Sequence, residues 1–143
     1  METIIDSLLC WLALYLAYLI SKRIKMHRVL VVEDSPTEVI VMKNRLQMPN
    51  CKYEWKDSIE SISFVRLWIF MPHLVIVDQN LSGTMKGVEL VRHYRSFGIP
   101  VRLVTADNGS IAGITEEYIV RKSSGDKFYS DLLSWIKTEL KIV

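Results

Sequence analysis

A chain of 143 residues, half of them hydrophobic, is long enough for one well-cored domain and too short for two of ordinary size. The formal charge is only +2, and the basic residues are dispersed apart from Lys22, Arg23 and Lys25, so nothing points to nucleic acid as a partner. Cys10 and Cys51 stand apart without zinc or redox spacing and read as unpaired thiols in a reducing compartment.

Residues 8–20 are all apolar or aromatic, and with Ile4 and Ile5 the stretch approaches the roughly 17 to 25 residues that span a bilayer. Glu2 and Asp6 precede it and Lys22, Arg23 and Lys25 follow. That is the reverse of a cleaved signal peptide and matches an uncleaved single-pass anchor, with the rest of the chain on the cytoplasmic face of the membrane. Two other readings stand beside it: a hydrophobic helix packed on the domain or on a partner, and a natural start at Met26, which would leave the domain cytoplasmic. The chain thus divides into a hydrophobic segment, 1–25, and a globular domain, 26–143.

Residues 28–32 form an almost continuous apolar run, the pattern of a strand covered on both faces in a parallel sheet, and the run ends in Glu33 and Asp34. In Ser35-Pro36-Thr37-Glu38, Ser35 suits a helix cap, Pro36 the first helical position and Glu38 the return half of a capping box. This predicts a helix to about Gln47 with Val39, Ile40, Met42 and Leu46 mostly on one side. Alternation over 51–55 predicts a second strand, and 58–70 an apolar-rich helix that stops before Pro72.

A third strand over 73–77 delivers Asp78 at its carboxyl end. A loop with Ser82 and Gly83 leads to a helix over about 87–95, and Pro100 introduces a strand over 101–105. A last strand over 117–121 ends at Lys122, and a final helix from Asp126 to about Leu140 buries Phe128, Leu132, Leu133, Ile136 and Leu140. Strands alternating with helices argue for an α/β, doubly wound, five-stranded parallel sheet.

In such sheets the ligand site lies beyond the carboxyl ends of the strands, where the strand order reverses. With the order 2-1-3-4-5 the first and third strands are neighbours, so Glu33, Asp34 and Asp78 crowd together, and a cation is needed to relieve them. Hard oxygen ligands suit Mg²⁺, which leaves room for phosphate oxygens. Asp78 is then placed as a nucleophile that forms an acyl phosphate, Lys122 as a neutralising charge, and Thr105 as a hydroxyl donor to the phosphoryl oxygens.

These stretches, from Val29 to Ser35, Leu74 to Leu81, Gly87 to Leu90, Pro100 to Ala106 and Ile119 to Lys122, resemble in order and spacing the response-regulator receiver (CheY-like) domains of two-component systems. The resemblance implies a flavodoxin-like sheet and phosphorelay signalling fed by a histidine kinase or phosphotransfer protein. It implies Asp78 as phosphoacceptor, Mg²⁺ held by Glu33, Asp34, Asp78 and the backbone carbonyl of Asn80, Thr105 as the switch hydroxyl and Lys122 on the phosphoryl group. Catalysis would be limited to self-phosphorylation and slow dephosphorylation. With no output module after Lys141, the resemblance is to stand-alone receivers that act through protein contacts on a downstream target.

The chain departs from that family in four places. Ser123 follows the strand-end lysine where proline is common, Ser82 stands where proline usually follows the acceptor motif, and Ile119 stands at the usual aromatic relay position, with Tyr118 beside it. The stretch 106–116, rich in Asn108, Gly109, Gly113 and Thr115, is too short for a full fourth helix. A degenerate, non-phosphorylated, membrane-tethered scaffold is therefore the rival reading. A small flavin-binding domain would need a loop rich in Ser, Thr and Gly where Glu33 and Asp34 stand.

Overall fold

The computed structural model describes residues 2–23, 26–57, 71–83, 85–122 and 125–143, with side chains in the first helix described over 9–19. The elements in chain order are α1 (Glu2–Arg23), β1 (His27–Val32), α2 (Pro36–Arg45), β2 (Cys51–Lys56), β3 (Leu74–Asp78), α3 (Gly87–Ser96), β4 (Val101–Thr105), β5 (Ile119–Arg121) and α4 (Asp126–Leu140). The helix expected over 58–70 lies outside the described residues. All strand pairs are parallel and the order is β2-β1-β3-β4-β5, as the sequence predicts.

The apolar strands supply both faces of the sheet, because successive side chains point to opposite sides. Val29, Val31, Leu74, Ile76 and Val104 meet Met42 and Leu46 at α2, and Phe128, Leu132 and Ile136 of α4. Leu30, Val32, Val75, Val77, Val101 and Leu103 face Leu90, Val91 and Tyr94 of α3. Each such side chain, once buried, contributes about 1.5–3 kcal/mol. The two layers fix β1 and β3 side by side, and with them the ends that carry the acidic residues.

Several local expectations are corrected. On α2, Met42 is buried, as is Leu46 just past its end, but Ile40 is 62% exposed, because it lies two residues from Met42 and so about 200° around the helix. Ser35 caps α2 by accepting the Glu38 N–H at 3.4 Å, yet its own N–H goes to Glu33 Oε1 at 3.0 Å, so the expected capping box is not closed by Glu38. Asp78 is the last residue of β3 itself, and Leu133 is only partly buried. The last strand is shorter than expected, because Glu116–Tyr118 wind into a 3₁₀ turn before it.

That turn is the one helical piece between β4 and β5, so the expected shortened fourth helix is reduced to three residues. Gly113, at φ +82°, takes a backbone conformation that favours glycine, and its carbonyl accepts from Arg92 Nε and Nη2 of α3 at 3.3 and 3.2 Å. An arginine clamp thus does part of what helix packing would do. At the other end of the chain, residues 9–19 of α1 are all exposed, Trp11 to 73%. Among the described residues no helix is long and apolar enough to cross a membrane.

Candidate functional site

The chain reverses its direction of travel across the sheet between β1 and β3, and the carboxyl ends of these two strands bring three acidic residues together. Carboxylate oxygens of Glu33, Asp34 and Asp78 lie within 4.8 Å of one another. Asp78 is 8% exposed and Glu33 4%. Carboxylates this close and this dry repel one another, and each is held by specific partners.

Glu33 Oε1 takes the Ser35 N–H described above. Asp34 Oδ2 accepts the Ser82 N–H at 2.9 Å, tying the loop after β1 to the loop after β3. A proline at Ser82, as the family commonly has, would carry no N–H for this bond, so the departure noted in the sequence has a structural use. Asp78 Oδ2 accepts the Asn80 N–H at 2.8 Å, and its Oδ1 lies 2.9 Å from Lys122 Nζ. The same ammonium lies 3.5 Å from Glu33 Oε2 and 4.0 Å from Glu38 Oε2.

Lys122 reaches this point because its backbone N–H donates to the Thr105 carbonyl at 2.6 Å, continuing the β4–β5 pairing one residue past β5. Burial works against its charge, but the hydrogen bond it donates to Asp78 and the charges of Asp78, Glu33 and Glu38 outweigh this and hold its pKa above the ordinary lysine value. Burial pushes the Glu33 carboxyl up, the Ser35 N–H opposes that, and Asp78 pushes it up again. Three carboxylates, Asp78, Glu33 and Glu38, thus share one ammonium, with Asp34 clustered beside Glu33 and Asp78. The remaining negative charge and the all-oxygen donor set fit a hard divalent cation of the Mg²⁺ or Mn²⁺ kind.

Thr105 ends β4 and is 1% exposed. Its Oγ1 accepts the Asp107 N–H at 3.0 Å and donates to Gln79 Oε1. Gln79 is in turn placed by its own N–H, which donates to the Val104 carbonyl at 3.0 Å.

No family model matches the sequence and no curated protein is significantly similar to it. Solved structures do match the fold. The Mn(2+)-bound form of response regulator Rcp1 matches at 20% identity with a TM-score of 0.61, over 82% of this chain and 96% of that one. A Chloroflexus aurantiacus protein described as a response regulator matches at 22% identity and TM-score 0.64, over 82% and 99%. The response regulator RcsB of Salmonella typhimurium gives 16% and 0.63, with 81% of this chain matching only 62% of that longer one. The chain has the response-regulator receiver fold.

In this receiver fold the expected residues Glu33, Asp34, Asp78 and Lys122 converge on one point, and Thr105 joins them through the residue next to Asp78. Asn80 contributes its N–H to Asp78. Ser123, and with it the peptide bond that follows Lys122, lies outside the described residues. Tyr118, beside the relay position, packs with the α3 side of the sheet, with the Arg95 guanidinium 4.4 Å from its ring centre. Sequence reasoning did not single out Gln79, or Glu38 as a neighbour of Lys122. The only sequence signal was adjacency: Gln79 follows Asp78, and Glu38 lies in the first turn of α2.

Proposed function

We propose that this domain is a phosphoacceptor receiver of two-component phosphorelay signalling, phosphorylated on Asp78. The observation that carries this reading is a nearly buried carboxylate at the sheet's switch point, 2.9 Å from one ammonium and clustered with two further carboxylates. An Asp78 oxygen attacks the donor's phosphorus, the bond from phosphorus to the donor's leaving group breaks, and that group departs with the electron pair. Lys122 neutralises charge on the phosphoryl oxygens as it shifts from its carboxylate partners, and Thr105 donates its hydroxyl hydrogen to one of them. Glu33, Asp34, Asp78 and the Asn80 carbonyl would hold Mg²⁺, which supplies further charge neutralisation for the phosphoryl oxygens. The donor is a histidine kinase or phosphotransfer protein, the output is protein contact, and self-phosphorylation and slow dephosphorylation are its only catalysis.

The same reading places α1 against a lipid surface. Its residues 9–19 are apolar or aromatic on every side and exposed. A protein groove covers one stripe of a helix, whereas lipid covers all of it, and Lys22, Arg23 and Lys25 beyond the apolar run suit anionic headgroups.

The test is labelling of the full chain by a small acyl phosphate donor with and without Mg²⁺, beside Asp78→Asn. Mg²⁺-dependent, base-labile labelling that is lost in the variant is expected. A wild-type chain that stays unlabelled while a control receiver reacts would overturn the reading and favour a non-phosphorylated interaction scaffold.

A further inference from the structure

We propose that Gln79 is a latch on the Thr105 hydroxyl, and that phosphorylation switches the domain only as far as a phosphoryl oxygen on Asp78 takes that hydrogen bond away from Gln79. This rests on Asp78 being the phosphoacceptor. A threonine hydroxyl has one hydrogen to give. The Asp107 N–H donates into Thr105 Oγ1 at 3.0 Å, which fixes the oxygen, and the single hydrogen goes to Gln79 Oε1. At 1% exposure Thr105 has almost no contact with solvent to supply a substitute partner.

Gln79 is itself anchored, with its N–H on the Val104 carbonyl at 3.0 Å, and it sits between Asp78 and Asn80, whose N–H holds Asp78 Oδ2 at 2.8 Å. The acceptor that occupies Thr105 is therefore part of the same short loop that carries the phosphorylated residue. A phosphoryl oxygen gains the Thr105 hydrogen bond only by displacing the Gln79 amide oxygen. That exchange sets a threshold between phosphorylation and switching. A hydrogen bond of ordinary net strength makes the threshold about fivefold in the equilibrium.

The experiment titrates the full chain with beryllofluoride, a phosphoryl mimic, in Mg²⁺, with the bound mimic read by fluorine NMR. Four proteins are compared: wild type, Gln79→Leu, Thr105→Val and the double variant. The latch predicts half-saturation at about fivefold lower mimic concentration in Gln79→Leu than in wild type. It also predicts no difference between Thr105→Val and the double variant, since there is then no hydroxyl to release. Equal midpoints in wild type and Gln79→Leu overturn it, and so does a shift of the same size in the Thr105→Val background. A wild-type chain that binds no mimic overturns the latch together with the Asp78 reading, and is told apart from the other failures because in those both proteins bind.

Discussion

Lys122 is the counter-charge for a group of carboxylates that would otherwise face one another across a partly buried site. Replacing it by Met removes the ammonium 2.9 Å from Asp78 and 3.5 Å from Glu33. We expect Lys122→Met to lower stability by about 1–3 kcal/mol, the range for losing a charged partner at a partly solvated site. Added Mg²⁺ should stabilise the variant more than the wild type, because among the described residues Lys122 is the cation paired with these carboxylates. Urea unfolding with and without Mg²⁺ checks both. The Tyr94 hydroxyl is buried with no hydrogen-bond partner among the described residues, and burial pushes its pKa up to about 12. Its folded value lies above the unfolded value of about 10, so its contribution is fully present below pH 10 and is lost as pH rises through 12. Tyr94→Phe should therefore unfold less readily than wild type over that window, and at pH 7 should be neutral or slightly more stable. Thermal melts across pH 7 to 12 would show it.

At the scale of elements, the site depends on how closely α3 begins against the end of β3. A Cβ on Gly87 would stand 2.3 Å from the Asp78 carbonyl oxygen and 2.8 Å from the Gln79 Cα, both backbone atoms that cannot swing away. Gly87→Ala should therefore cost more than about 2 kcal/mol and displace the loop that carries Gln79 and Asn80. Chemical denaturation measures the cost, and weaker Mg²⁺ binding reports the displaced loop. Sequence reasoning placed a helix start at Gly87 from its spacing, but not the reason that only glycine fits. The clash is with a strand nine residues earlier in the chain, and no local pattern encodes it. The short connection between β4 and β5 was legible as irregular from Asn108, Gly109 and Gly113. The Arg92 clamp on it was not, since Arg92 reads in sequence as an ordinary exposed helix residue.

At the scale of the whole molecule, α1 and the α/β domain have different physical needs. The domain buries both faces of its sheet, while the described side chains of α1 bury none. A chain starting at Met26 should keep the melting temperature of the full chain to within about a degree, and should lose co-flotation with vesicles containing anionic lipid. A large fall in melting temperature would show instead that α1 packs on the domain.

The sequence by itself determined the five-strand order of events, the parallel sheet and the set Glu33, Asp34, Asp78, Thr105 and Lys122. These are written in short apolar runs with polar ends, and the pattern of a buried strand is local. Tertiary structure alone decided the wiring of the site. The Ser82 N–H meets Asp34 across a separation of 48 residues and Thr105 meets Gln79 across 26. Lys122 is shared among Asp78 of β3, Glu33 just past β1 and Glu38 of α2. Such contacts follow from the register of neighbouring strands and the meeting of their loops, and register is specified by burying the faces of the sheet in the folded molecule.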